Sequence, residues 1–165
     1  MVYAFESSET NTRAERATPA ERRATGAALA YWDSLRGGRD CPSVEELHID
    51  RMPDLNRNAV LIALDSDGHS AGTVAFGGEE VERLCGTRTR GRTVWECLPS
   101  GMRERTAQVL AAAAAVRRPL ADSDRFSDAA GDTVLYRSVF MPLAGADGRI
   151  THLLGAFSFK SVAAA

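Results

Sequence analysis

The sequence predicts one α+β domain. Three observations point there. The chain has 165 residues, close to the ~150 of a single domain. It is 44% hydrophobic and 25% charged, an ordinary globular composition. Along the chain the apolar spacing switches from a helical period to a period of two, and no repeat or linker separates the two regimes, so helices and strands share one core. A chain of this size buries roughly two-thirds of its unfolded surface and needs no disulfide or metal to fold.

Residues 1–17 are polar and aperiodic and read as a mobile tail, or as a helix that orders only on a partner. Thr18-Pro19-Ala20-Glu21 opens a helix over 18–36. Thr18 suits the N-cap, Pro19 the first helical position and Glu21 the return arm of a capping box. Ala28, Tyr31, Trp32 and Leu35 form one apolar stripe. Gly37-Gly38 ends the helix. Cys41 to Arg57 is irregular, with a short helix expected at Ser43 to Leu47. Asn58 to Leu64 and Ser70 to Phe76 read as a hairpin around Asp65-Ser66-Asp67-Gly68. Glu79 to Cys85 is a short helix closed by Gly86, and Thr87 to Leu98 a loop with helical turns.

Pro99 and Ser100 open a longer helix with Met102, Val109, Leu110, Ala113 and Val116, and Pro119 turns the chain out of it. Three strands follow: Leu120 to Ser127, Thr133 to Leu143 and Ile150 to Phe159, joined by turns at Ala129 to Asp132 and at Ala146-Asp147-Gly148. Residues 18–160 are therefore assigned to the domain and 161–165 to a C-terminal tail.

Composition excludes several function classes. Net charge is −2, so the chain lacks the basic balance of a nucleic-acid binder. The longest apolar stretch, Val109 to Val116, is far short of the ~20 residues that span a bilayer. The first ten residues have neither a basic nor an apolar signal region. Cys41, Cys85 and Cys97 are odd in number and irregular in spacing, as in a reduced, cytoplasmic chain. His48, His69 and His152 are scattered, and no metal site is expected. Of 20 basic residues only Lys160 is lysine, a compositional bias that discounts arginine-rich stretches.

The order of two strands, small helices, a longer helix and three strands resembles that of PAS domains. Tyr136 to Leu143, ending in Pro142-Leu143, the Asp147-Gly148 turn and Leu153-Leu154-Gly155-Ala156 carry the resemblance most strongly. Tyr31-Trp32-Asp33-Ser34-Leu35-Arg36-Gly37-Gly38, Pro42-Ser43, Met52-Pro53-Asp54-Leu55 and Gly86 to Thr93 are similar to a bacterial, alphaproteobacterial-type branch of short stand-alone PAS proteins with a Y-W-x-x-L-R-G-G helix. The resemblance covers roughly residues 25 to 160. It implies a five-stranded antiparallel sheet with small helices on one face and the N-terminal helix on the other. It also implies a cytoplasmic signalling or adaptor module rather than an enzyme. Fold alone does not set function.

On that fold Tyr136, Ser138, Phe140, Leu153, Gly155 and Phe157 point inward with Val60, Ile62 and Leu64, while Leu135, Val139, Met141, Leu154 and Ala156 point outward. A one-residue slip would exchange the two sets. The candidate ligand pocket is Val60, Ile62, Leu84, Val109, Leu110, Tyr136, Ser138, Phe140, Gly155 and Phe157. Tyr136 and Ser138 either bond to nearby backbone or orient a small apolar or mixed-polarity ligand. Asp122 and Asp124 face solvent or the pocket mouth.

Arg88, Arg90 and Arg92 form a candidate anion patch for a phosphate-bearing messenger, or a solvated face. Ala28, Tyr31, Trp32 and Leu35 mark a dimer or cap helix. The flavin photoadduct is excluded, because Gly91-Arg92-Thr93-Val94 lacks the cysteine that chemistry needs. Haem is disfavoured, since Pro99 to Val116 contains no histidine. Gly77-Gly78-Glu79-Glu80 imitates a diguanylate cyclase signature, but as a lone motif between a strand and a helix.

The expected function is ligand sensing, homodimerisation and docking of an unidentified signalling protein in trans. Alternatives are a ligand-free adaptor and, remotely, an enzyme on a ketosteroid-isomerase-like cone fold with Asp124 and Tyr136 as base and donor.

Overall fold

The computed structural model describes residues 19–51, 55–65 and 72–164. Helix α1 (Pro19–Arg36) leads through two 3₁₀ turns, Val44–Glu46 and Ile49–Arg51, into β1 (Ala59–Ala63) and β2 (Thr73–Gly77). Then come α2 (Glu79–Cys85), α3 (Val94–Cys97), a 3₁₀ turn at Ser100–Met102, α4 (Arg103–Val116), β3 (Leu120–Ser127), β4 (Thr133–Ala144) and β5 (Ile150–Val162). The five strands form one antiparallel sheet in the order β2-β1-β5-β4-β3. This is the expected α+β class, with α2 to α4 on one face and α1 on the other.

Local chemistry explains the boundaries. Gly37, at φ +59°, takes the left-handed conformation that ends α1. The expected N-cap Thr18 lies outside the described residues, as do residues 66–68 of the expected turn at Asp65 to Gly68 and the start of the return strand at Ser70. The short helix expected at Ser43 to Leu47 is a single 3₁₀ turn, held by a capping box between Ser43 and Glu46. The long helix starts later than expected: Pro99-Ser100 opens a 3₁₀ turn, and α4 begins at Arg103. It also stops three residues before Pro119, at Val116, because Arg117 sits in the left-handed region at φ 56° and its N–H closes on the Ala113 carbonyl. The last strand outruns the assigned tail boundary. Ser161 and Val162 pair with Val134 and Thr133, so β5 reaches Val162.

Both sheet faces are buried, and alternation sorts the side chains as expected. Val60, Ile62, Tyr136, Phe140, Leu153 and Phe157 pack inward with Met102, Leu110 and Ala113. Val139, Met141, Leu143, Leu154 and Ala156 pack outward against Ala28 and Trp32 of α1. Gly155 is the pivot of the inner layer. A Cβ there would stand 2.7 Å from Val60 Cγ1 and 2.8 Å from Phe140 Cε1, so the missing side chain is the space the Phe140 ring occupies. That ring meets Phe157 edge-on, with centroids 5.4 Å apart.

Pro142 is tolerated inside the sheet because the β3 pairing ends at Leu120↔Phe140. No β3 residue stands opposite Pro142 to need its missing N–H. The outer edge of β2 is covered as well. Val74 N donates to Arg92 O, Gly91 N to Val74 O and Val94 N to Gly72 O, pinning residues 91–94 along that strand.

Candidate functional site

The inner layer between the sheet and α2 to α4 holds a partly open void of about 20 Å³. It is lined by Val60, Ile62, Val74, Val81, Cys85, Thr89, Val94, Cys97, Leu98, Thr106, Phe140 and Phe157. Four of the ten candidate pocket residues, Val60, Ile62, Phe140 and Phe157, therefore share one cavity wall. Leu84, Val109, Leu110 and Tyr136 belong to the surrounding apolar layer, and Ser138 is buried on the same face. Gly155 lies under Val60 and Phe140. A void of this size has room for about one water.

Sequence reasoning missed most of the α2–α3 wall. Val74 and Val81 carried an ordinary strand or helix signal, but nothing in the sequence marked Thr89. It is fully buried, with its N–H on Glu82 Oε1 at 3.1 Å and its carbonyl facing Cys97 Sγ at 3.8 Å. A Cβ on Gly77 would collide with the Thr89 hydroxyl, and one on Gly78 with the carbonyls of Asn56 and Arg57. The two glycines of the cyclase-like tetrad are thus explained by close packing. Its acids serve ion pairs: Glu80 with Arg57 and Arg83, and Glu79 with Arg57.

Burial sets the chemistry of the two thiols on this wall. It pushes Cys85 up to about 12, with Cys97 and Glu82 adding in the same direction. Burial also raises Cys97, against the pull of Arg92. Both stay protonated near neutral pH and act as small apolar groups.

A polar constellation lies where α4 crosses the edge strand β3. Arg105 grips Asp122 with a fork, Nε to Oδ2 at 2.8 Å and Nη2 to Oδ1 at 2.7 Å, and reaches Asp124 Oδ2 at 3.3 Å. That fork raises the Arg105 pKa further. Asp124 pairs across the strands with Tyr136, and Asp122 with Ser138. Tyr136 is 3% exposed, and its hydroxyl makes no hydrogen bond of good geometry among the described residues, although the Thr106 side chain of α4 lies close enough to oppose the rise in its pKa. The expected local backbone bond is therefore not made. The register places Tyr136 inward beneath α4, out of line with neighbouring carbonyls, which point along the sheet. Burial, with the charges of Asp122 and Asp124, pushes the phenol up to about 12.

The outer face is closed by α1 itself. Ala28 and Trp32 are buried there and Tyr31 is half-buried, its hydroxyl accepting from His48 N at 3.1 Å. Leu35 is half-buried outside this cluster, whereas Leu29, which the stripe omitted, packs against it.

The arginine run between Arg83 and Arg105 is dispersed. Arg83 lies over the Phe159 ring, Arg103 donates to Leu98 O, and Arg105 serves β3. Arg88, Arg90 and Arg92 are exposed on the segment that edges β2, and Arg92 Nη1 donates to Thr87 Oγ1 at 2.9 Å. No cluster of three or more metal-binding side chains occurs among the described residues. None of the described helices is long and apolar enough to cross a membrane.

No curated protein matches the chain. Among solved structures, it is similar to the LOV protein of Rhodobacter sphaeroides at 13% identity and TM-score 0.47, covering 62% of this chain and 58% of that one. It is similar to an RNA-binding light-oxygen-voltage receptor at 17% identity and TM-score 0.47, covering 71% of this chain and 35% of that one. The PAS domain of Bordetella pertussis BvgS matches at 14% identity and TM-score 0.48, covering 66% of this chain and 79% of that domain. The chain thus spans little more than half, or about a third, of the first two proteins' length. The PAS domain family model matches residues 20–158. With that match over most of its length and a 2-1-5-4-3 sheet covered on both faces, the chain belongs to the PAS domain family.

Proposed function

We propose that this PAS domain is a signalling module that acts by docking a partner protein in trans, as a homodimer, in the cytoplasm, and without a catalytic step. The bacterial PAS branch with the Y-W-x-x-L-R-G-G helix is the subfamily we assign it to. The observation that carries this reading is the packing of the inner layer. Val60, Ile62, Phe140 and Phe157 close on a void of about 20 Å³, room for about one water. In this reading the rigid α+β body presents its surface, and the interior serves as core.

A second reading, a sensor for a small apolar or mixed-polarity ligand, is favoured by the Tyr136 hydroxyl. A buried donor without a partner is costly, and a ligand acceptor atom beneath α4 would satisfy it. Native mass spectrometry of freshly purified protein separates the two. The docking module is expected to show a bare dimer mass. A retained small molecule, lost in Tyr136→Phe, would overturn it in favour of the sensor.

A further inference from the structure

We infer that Arg88, Arg90, Arg92 and Trp95 form the face on which the partner docks, and that the partner presents an acidic segment carrying an apolar side chain; this rests on the docking function proposed above. Trp95 is 49% exposed, on a helix of one turn that directly follows the segment bearing the three exposed arginines. Tryptophan and arginine are the side chains that dominate protein–protein binding energy.

The segment is held stiffly. Thr89 is buried between Arg88 and Arg90 and tied to Glu82. Residues 91–94 are bonded to β2 and its approach, and Thr93 and Glu96 close a capping box. A backbone held this way loses little freedom on binding.

Charge selects the partner. The nearby carboxylates are already engaged: Glu80 by Arg57 and Arg83, Glu82 by Thr89 and Glu96 by the Thr93 N–H. Arg88 and Arg90 have no ion pair or hydrogen-bonded side-chain partner among the described residues. The whole chain carries −2, so this positive surface is local. It suits a short acidic segment better than a long polyanion. The segment is also the outer wall of the interior void, through Thr89, Val94 and Cys97, so a change in inner packing would reach this face directly.

The test titrates the full chain, at low salt, with a glutamate–tyrosine copolymer, with polyglutamate and with oligo-dT. Binding is followed in every variant by the anisotropy of a dye attached to each polymer, and in the wild type also by indole fluorescence against the buried Trp32 background. The copolymer is expected to shift the Trp95 emission to the blue and to bind more tightly than polyglutamate. The Arg88→Glu/Arg90→Glu double variant and Trp95→Ala are each expected to lose about tenfold or more in affinity, with melting curves that confirm folding. Wild-type affinity in both variants would overturn the inference, and so would tighter binding of oligo-dT, which would mark a nucleic-acid surface. Retention of a small molecule in the native mass spectrum bears on the docking function alone, so the two failures are distinguishable.

Discussion

The indole Nε1 of Trp32 donates to the carbonyl oxygen of Pro142 at 2.8 Å, a buried bond spanning 110 residues of sequence. It ties α1 to β4 at the point where β3 has ended, and it orients an indole that is 4% exposed. The N-terminal helix is thereby part of the sheet's outer layer, held by both an apolar contact and a directed bond.

Trp32→Ala is expected to cost ~3–5 kcal/mol, from lost burial and the cavity left behind. Trp32→Phe should keep most of the packing and lose about 1–3 kcal/mol by leaving the Pro142 oxygen unpaired. Urea unfolding measures both. An unchanged stability in Trp32→Phe would show that the bond contributes nothing.

Tyr136→Phe runs the other way. The hydroxyl it deletes is buried and unpartnered among the described residues, so the apo protein should gain up to about 1–3 kcal/mol. A loss of stability on removing that oxygen would mean the group has a partner in solution.

Gly155→Ala should destabilise by about 1–3 kcal/mol, because the new methyl meets Val60 and Phe140 in a close-packed layer. Val60→Ala removes one of the two obstacles. In the double variant the combined loss is expected to fall below the sum of the single losses. Simple additivity in a double-mutant cycle would contradict the contact.

Alkaline pH should weaken the fold. Cys85 moves from an ordinary 9.0 to about 12, and Tyr136 from 10.0 to about 12. Folding thus favours the protonated forms. Their contribution is fully present below pH 9 and is lost as pH rises towards 12. Urea midpoints should fall across that window and flatten in Tyr136→Phe/Cys85→Ala. A midpoint independent of pH there would refute the burial argument. At neutral pH, Ellman's reagent should reach Cys85 and Cys97 slowly in the native protein and all three cysteines quickly in guanidinium.

The local punctuation was legible residue by residue. Gly86 closes α2 at φ +70°, as a left-handed cap does, and the alternation in β4 and β5 placed Tyr136, Phe140 and Phe157 on one face and Val139 and Leu154 on the other. Period-two patterns and caps are set by neighbours in sequence, so they can be read there. The 3₁₀ opening of α4 and the left-handed Arg117 were missed, because tertiary contacts set where a helix can stop.

The chain's own pattern was enough for the fold class, the sheet's two apolar faces and the PAS resemblance. Only the folded structure decided how full the interior is, that Thr89 is buried while Trp95 is half out, and that Tyr136 ends without a partner. Those outcomes depend on side chains from distant segments competing for the same few ångströms. Spacing along one strand carries no information about what arrives from another.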